Sequence, residues 1–571
     1  MSARGRAKSL KSFTVSMTSL AKRHAWRDAL ALFVGMEDYN LTPDAFCYSV
    51  LSSACEKGRL WALSLGFFHQ MLETHIAPTV VNYASAINAC SRAMHWAEAM
   101  SLLRKLPAHT LQADAAIFNA TISACARAKR WELSLSLFDE MSVRGPAPTP
   151  TTGGAVISAC EKGGQWRVAV QLLRSLPSFG IQPNVVTFNA AMSACEKGQQ
   201  WPTAMLLLDG LFHCGLTPTV ISFNAAISAC DKGQQWQRSL GLLERMTSEQ
   251  LEPSEVSYNA AISSLQGSHL WQLAVCLLEQ ANLHGCADII SFNATISAFG
   301  AASQWQRSLS LLHWMQSQGP KPDVFTFNSA MDACKRSQHG DIWPLALVLL
   351  TEMQHSRNIR PDVVSYNTAA SACEQGSAWA GSLSLLCRTQ ELRLTTPITY
   401  KTAISACEHS SAWEAALAVL GSMHGCDLRA DFGAFSAALL AVCAAPAPRI
   451  AEAMALFRAM LDAGCVDPWR RLERHTIDLH GFPAQVGRIA VLTALAEMTH
   501  HANASDENLI VITGRGLHRD VEADNDLRAE VLQLLVEELH LDAHLLPHNP
   551  GRVAVPQAVR QLTAPPRRKA A

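Results

Sequence analysis

Charge is scarce in this chain: Asp, Glu, Lys and Arg make up 17% of its 571 residues, against 49% hydrophobic residues. A chain so poor in charge and so rich in apolar residues is a folded protein with a large core, and a disordered polyelectrolyte is excluded. Long apolar runs are also missing. No stretch of about 18 uninterrupted apolar residues occurs. The longest candidate, Phe432 to Pro448, ends in Pro446-Ala447-Pro448 and keeps the register of a repeat, so no membrane span is expected. A basic excess, the usual mark of a nucleic-acid partner, is absent too, because the formal net charge is −1. Acids are missing from residues 1–27, which hold seven Lys or Arg, leaving 40 basic against 48 acidic residues elsewhere. Met1 to Leu20, basic, serine-rich and acid-free, has the pattern of an organelle transit peptide, or equally of a capping helix with solvated charges.

What is present is repetition. Residues 10–467 read as one unit of about 35 residues written thirteen times, in ungapped register at 45–79, 80–114, 185–219 and 220–254. So short a unit cannot bury its own apolar face, so its copies must stack into a solenoid with a regularly spaced groove. In the copy Val220 to Ser254, Phe223, Ile227 and Cys230 form the stripe of one short helix, and Trp236, Leu240, Leu243 and Met246 that of a second. Gly180 with Pro183, Gly215 with Pro218 and Gly319 with Pro322 read as a left-handed helix stop followed by a proline block. Nine of the 17 cysteines (Cys55, Cys90, Cys125, Cys160, Cys195, Cys230, Cys334, Cys373 and Cys407) occupy repeat position 11. They read as buried packing residues of a reducing compartment rather than a disulfide framework. Tryptophan opens the second helix at position 17 in nearly every copy, from Trp26 to Trp413, which suits a wedge between hairpins.

Three polar ladders run along the repeats. Position 5 carries Asn119, Asn189, Asn224, Asn259, Asn293, Asn328 and Asn367, although asparagine is a mediocre helix former. The last position carries Asp44, Thr79, Asp114, Thr149, Asn184, Thr219, Ser254, Asp288, Asp323, Asp362, Thr396, Asp431 and Asp467, which read either as helix caps or as ligand contacts. Position 13 is basic at Lys22, Lys57, Arg92, Arg127, Lys162, Lys197, Lys232 and Arg336, one cation per repeat, as a phosphate backbone requires. Glu56, Glu161, Glu196 and Asp231 partly offset it.

The hairpin, the Tyr/Phe-Asn pairs (Phe223-Asn224, Tyr258-Asn259, Phe327-Asn328) and Pro361-Asp362-Val363-Val364-Ser365-Tyr366-Asn367 resemble pentatricopeptide repeat proteins, over about 80% of the chain. That resemblance implies one base of single-stranded RNA per repeat, read by positions 5 and 35, clamped by an apolar position 2 and met at its phosphate by position 13. The clamps would be Val186, Ile221, Val256, Ile290, Phe325 and Val364. It further implies uridine at Asn259/Asp288, Asn293/Asp323 and Asn328/Asp362, cytidine at Asn224/Ser254, and guanosine at Thr14/Asp44 and Ser436/Asp467. Gly154/Asn184, Lys401/Asp431, Ala84/Asp114 and Ser49/Thr79 match no base, and an insertion near Gln338 to Asp341 interrupts the register. The expected partner is a pyrimidine-rich RNA.

After Pro468 the period stops, and strand, helix, strand, helix and strand patterns spell a small α/β domain. Asp478 and His480 would share one face of a strand. Gly514 and Gly516 would let backbone amides approach a phosphate beside His518 and Arg519. Ile477-Asp478-Leu479-His480-Gly481 and Thr513-Gly514-Arg515-Gly516-Leu517-His518 resemble the small MutS-related (Smr) domain, although Arg519 stands where many members have serine. The resemblance implies nucleic-acid binding and, in some members, endonuclease activity, with Asp478 and His480 catalytic, Arg515 steadying the phosphate, and Mg2+ a possible cofactor.

The expected fold is thus an all-α superhelical solenoid of about 13 hairpins followed by a small α/β domain. The expected divisions are a basic segment at 1–9, the solenoid at 10–467, the α/β domain at 474–556 and a basic tail at 557–571. The expected function is RNA processing by a monomer in a mitochondrion or plastid, or otherwise in the cytoplasm, with a non-catalytic RNA binder and a protein-binding scaffold as alternatives. The asparagine and lysine ladders weigh against the scaffold.

Overall fold

The computed structural model describes residues 10–558, apart from residue 24 and residues 37–40, 58–59, 110, 338–341, 357–358, 426–427, 446–448, 470–475, 501–507, 514–520 and 547–548. The chain packs as two compact units, residues 1–295 and 296–571. From Leu10 to Asp462 the described residues form 26 α-helices in 13 hairpins, the all-α repeat architecture that the period required.

One hairpin of the first unit shows how local chemistry builds them all. Its first helix, Val220–Lys232, starts at Thr219, whose side chain and that of Ser222 form a reciprocal capping box. Phe223, Ile227 and Cys230 are fully buried along one stripe. The helix stops at Gly233, and Gln234 takes the left-handed conformation with φ 53°. Trp236–Ser248 then returns, burying Leu243 and Met246. The turn between hairpins uses the same device: Gly180 and Gly215 have φ 73° and 68°, which glycine adopts without a Cβ clash. Gly319 does not follow that expectation. Its φ is not in the left-handed region; it is glycine because a Cβ there would meet the Trp314 ring at 2.7 Å and Met315 Cα at 2.8 Å.

Apart from the exposed Trp379, the position-17 tryptophans are half-buried at the seams between hairpins. A Cβ on Gly163, Gly198 or Gly233 would collide with the ring of Trp131, Trp166 or Trp201 of the preceding repeat, while Arg238 lies 4.4 Å from the Trp201 ring centroid. Gly233→Val is therefore expected to destabilise the first unit by about 1–3 kcal/mol through overpacking. A thermal melt checks this; an unshifted melting temperature would remove the tryptophan from the seam.

The position-11 cysteines are packing residues, each 3% exposed or less, and the cysteines of the described residues are free thiols. No described helix is long and apolar enough to cross a membrane.

In the second unit the last hairpins are followed by a four-stranded sheet of order β1-β2-β4-β3, formed by β1 (Thr476–Asp478), β2 (Leu509–Ile512), β3 (His544–Leu546) and β4 (Asn549–Val555). β1 runs parallel to β2 with Asp478 opposite Ile512, and β4 is antiparallel to both β2 and β3. The helix Ala484–His500 lies between β1 and β2 in sequence, and Val521–Leu532 follows β2. β3 was not legible in the sequence. Its burial is slight, so it has no apolar alternation to show. Ile477, Leu479, Val511 and Val553 share one continuous core with Phe435, Phe457 and Met460 of the last hairpin.

Candidate nucleic-acid interface

The first helices of the hairpins carry positions 2, 5 and 13, and the last position of each repeat caps the first helix of the next. Position 2 is the second helical residue, on the outward side of the first turn. Val186, Ile221, Val256 and Ile290 in the first unit are 67%, 65%, 54% and 57% exposed, and Phe325 and Val364 in the second are 59% and 56% exposed. Phe46, Val81 and Ile398 stand at the same place, also exposed, and were missed in the sequence only because their repeats have atypical partners at position 5. A row of bare β-branched and aromatic side chains at constant pitch contributes nothing to the core, and such a surface marks a binding site.

The helix-cap reading of the last position is fulfilled geometrically. Asp44, Asp288 and Asp362 accept the N–H of Cys47, Ser291 and Ser365 at 2.9, 2.9 and 2.8 Å, while Thr149, Thr219, Ser254, Asp323 and Thr396 cap their helices in the same way. The side-chain hydrogen bonds of Asp288 and Asp362 fall on Oδ1, which leaves Oδ2 as an acceptor. Asp362 is held below the usual carboxylate value: burial pushes it up, but hydrogen bonds from the Ser365 backbone and hydroxyl and from Asn328 outweigh that. Asp467 is exposed and followed by Pro468 and Trp469 instead of a helix.

The asparagines are half-buried and reach into the next repeat, apart from Asn293, which is 5% exposed. Ser222 Oγ donates to Asn189 Oδ1 at 2.7 Å, Ser257 Oγ to Asn224 Oδ1 at 2.5 Å, and Thr399 Oγ1 to Asn367 Oδ1 at 2.8 Å. Ser291 makes the same bond to Asn259. Asn224 Nδ2 donates to Ser254 Oγ at 3.0 Å, and Asn328 Nδ2 to Asp362 Oδ1 at 3.4 Å. Asn119 instead donates to Thr151 Oγ1 at 3.1 Å. In the rungs of Asn189, Asn224, Asn259 and Asn367 the position-3 hydroxyl of the next repeat therefore orients the amide. Sequence reasoning did not single out these hydroxyls, although a Ser or Thr two places before every one of these asparagines except Asn119 was the signal. Thr14 and Ser436 are half-buried at their helical positions.

Position 13 is partly neutralised by geometry. Lys197 Nζ pairs with Glu161 at 2.8 Å and Lys232 Nζ with Glu196 at 2.9 Å, each with position 12 of the preceding repeat. Arg336 pairs with Asp332 at 2.7 Å. Arg92, Arg127 and Lys162 are exposed, and the side chains of Lys22 and Lys57 lie outside the described residues.

In the C-terminal sheet, His480 Nδ1 and Asp478 Oδ1 are 2.7 Å apart, with the imidazole 75% and the carboxylate 18% exposed. They do not meet by strand alternation: β1 ends at Asp478, and His480 sits in the turn before Gly481, whose φ is 80°. Gly514, Arg515, Gly516, His518 and Arg519 lie outside the described residues. Among the described residues no group of three or more His, Cys, Asp or Glu is placed to hold a metal ion.

Two family models match. Residues 287–336 match the PPR repeat family, and residues 74–259 match the pentacotripeptide-repeat region of PRORP. No curated protein matches the chain. Among solved structures, the pentatricopeptide repeat protein PPR10 from maize is similar with a TM-score of 0.55 at 19% identity, over 86% of this chain and 66% of that one, which is just under two thirds of its length. The same protein in complex with an 18-nucleotide psaJ RNA element aligns with a TM-score of 0.44 at 18% identity, over 86% of this chain and 74% of that one. The PPR domain of Arabidopsis thaliana protein-only RNase P 1 in complex with tRNA covers 30% of this chain and 90% of its own, at 13% identity and a TM-score of 0.27. Over residues 74–259 and 287–336 the hairpins of this chain are thus similar to pentatricopeptide repeats, and over a longer span the chain shares the fold of PPR10.

Proposed function

We propose that this protein binds single-stranded RNA along the first-helix face of its repeats, one base per repeat, with a preference for a pyrimidine-rich core, and that its C-terminal α/β region processes the bound transcript. The observation that carries the reading is the exposed apolar residue at position 2 standing beside an oriented amide at position 5 and a capping acceptor at the last position. An apolar face for stacking, a donor and an acceptor are what an unpaired base needs. An amide Nδ2 with a carboxylate Oδ2, as at Asn328/Asp362, suits a base edge offering both an acceptor and an N–H, as uridine does. Organelle gene expression is the setting suggested by the acid-free, basic first 27 residues.

The test is to incubate the protein with a randomised RNA pool in magnesium buffer and sequence the retained and the cleaved molecules. Enrichment of a short pyrimidine core supports the groove, and its absence sinks the RNA reading in favour of a protein scaffold. For processing, Asp478→Ala and His480→Ala are each expected to lower cleavage at least about 100-fold, in line with loss of an acid–base group, while RNA retention stays unchanged. Cleavage by wild type and both variants alike would remove the pair from the chemistry.

A further inference from the structure

The last hairpin breaks the pattern of the groove. Repeat 397–431 still carries an exposed apolar residue at position 2, Ile398, but the next repeat has Gly433 in that place. Lys401, at position 5 where seven other repeats carry asparagine, lies across that glycine: a Cβ on Gly433 would fall 2.7 Å from Lys401 Nζ. Lys401 is exposed and has no ion-pair partner among the described residues. Ser436, at position 5 of the last repeat, turns its hydroxyl back onto the Gly433 carbonyl at 3.1 Å. Beyond Ile398, therefore, the groove offers an ammonium group in place of a stacking face and an amide.

The turn that carries His480 is fastened to the same place. Asp478 N–H donates to the Pro468 carbonyl at 2.8 Å, beside the exposed last-position Asp467, and Leu479 N–H donates to the Ile512 carbonyl of β2 at 2.9 Å. After Gly481 the Phe482 ring packs on that of Phe432, with centroids 5.2 Å apart. Phe432 opens the first helix of the last hairpin and is the neighbour of Gly433. The His480 imidazole is 75% exposed, and its Nδ1 lies 2.7 Å from Asp478 Oδ1. A carboxylate at Nδ1 keeps the proton there and leaves Nε2 as the basic nitrogen.

We propose that the last hairpin and the Asp478–His480 turn form one composite site, in which Lys401 of the solenoid holds the phosphodiester that the pair acts on, so that the groove itself sets the position of the cut. The inference rests on the processing reading above. A phosphate needs a cation and an unobstructed approach, and Lys401 over Gly433 supplies both. With one base per repeat, the cut falls about one or two nucleotides past the base stacked on Ile398. The step consumes one water. Its oxygen bonds to phosphorus as its proton passes to His480 Nε2, and the P–O bond to the leaving ribose oxygen breaks, that oxygen taking a proton from solvent.

The test uses the full chain in magnesium buffer with fluorescein-labelled RNAs in which an oligouridylate block is flanked on both sides by oligoadenylate, the cut being mapped to single-nucleotide resolution. The expected result is one cut at a fixed distance from one end of the block, moving with the block when it is shifted along the RNA. Lys401→Gln should slow cleavage at least about tenfold, as loss of one group holding the reacting phosphate does, with RNA affinity changed less than twofold; Lys401→Arg should restore most of the rate. Arg458→Gln, the same charge change at an exposed residue of the last hairpin's second helix, should cut as the wild type does. Phe482→Ala should spread the cut over neighbouring phosphodiesters, with a thermal melt on the same preparation showing that the chain is folded. If the wild type cuts at positions that ignore the block, or if Lys401→Gln behaves like Arg458→Gln, the composite site is overturned and the processing reading stands. If the wild type retains these RNAs without cutting them, the processing reading and this inference fall together while RNA binding stands.

Discussion

Replacing Ile221, Val256 and Ile290 together with aspartate is expected to abolish single-stranded RNA binding, a loss of at least about 100-fold, while the melting temperature moves by only a few degrees. The three side chains are 65%, 54% and 57% exposed, so the folded chain loses little apolar burial when they go. Surface changes away from packed features usually stay within about 0.5 kcal/mol. Each site is also in the first turn of its helix, where a carboxylate is favoured by the helix dipole. The ligand loses far more. Stacking on a side chain contributes about 1–3 kcal/mol per base, three sites are removed, and about 1.4 kcal/mol is a factor of ten in affinity; the added charges also repel phosphate. Fluorescence anisotropy and a circular dichroism melt on the same preparation decide it. Unchanged affinity would disprove the groove, and a collapsed melt would show that these residues belong to the core.

The second large effect is alkaline. Burial pushes the position-11 thiols up from 9.0, to about 11 for Cys55, Cys125, Cys160, Cys195 and Cys230 and about 12 for Cys90. A raised folded-state value means that the neutral thiol is what the fold holds. Below pH 9 folded and unfolded chains are both protonated at these sites and the stability is fully present. Between pH 9 and about 11 only the unfolded chain ionises, so stability falls as pH rises. A tenfold difference in acidity is about 1.4 kcal/mol, so each repeat is expected to lose on the order of 2 kcal/mol, and in a stack of repeats the losses accumulate. Thermal melts at pH 8 and pH 10.5 should differ by well over ten degrees, and Cys160→Ala/Cys195→Ala/Cys230→Ala should narrow that gap. An identical gap in the triple variant would assign the alkaline loss to other groups, Tyr83 and Tyr258 being the first to examine because burial raises both.

The rungs show why part of the site was legible and part was not. The asparagines and their last-position partners could be found because duplication copied them at a fixed interval, and the exposed clamps because they interrupt a polar face at the same interval. Their bonding could not. Asn224 was readable, but that Ser257 and Ser254 would bind its two amide atoms depends on residues 33 and 30 places away, brought within reach only when one hairpin stacks on the next. Gly319 was read as a left-handed stop and is instead a close-approach glycine, because the Trp314 ring that excludes a Cβ is positioned by the bend of its own turn. His480 was assigned to a strand face, yet the strand ends two residues earlier and the Asp478–His480 contact is made by a turn.

By itself, the sequence determined the periodic part of this protein: the thirteen helical hairpins, their buried cysteine stripe, their tryptophan seam and the residue types on each rung. These follow from the 35-residue interval and from helix periodicity, both of which are local. Tertiary structure alone decided which cations stay unpaired and which are cancelled, since Lys197 and Lys232 find their acids 36 residues back across a stacking interface while Lys162 finds Ala126. It also decided that the C-terminal sheet shares its core with the last hairpin. Both depend on distances through space between segments distant in sequence, and a Coulomb or packing energy is fixed by such distances, not by order along the chain.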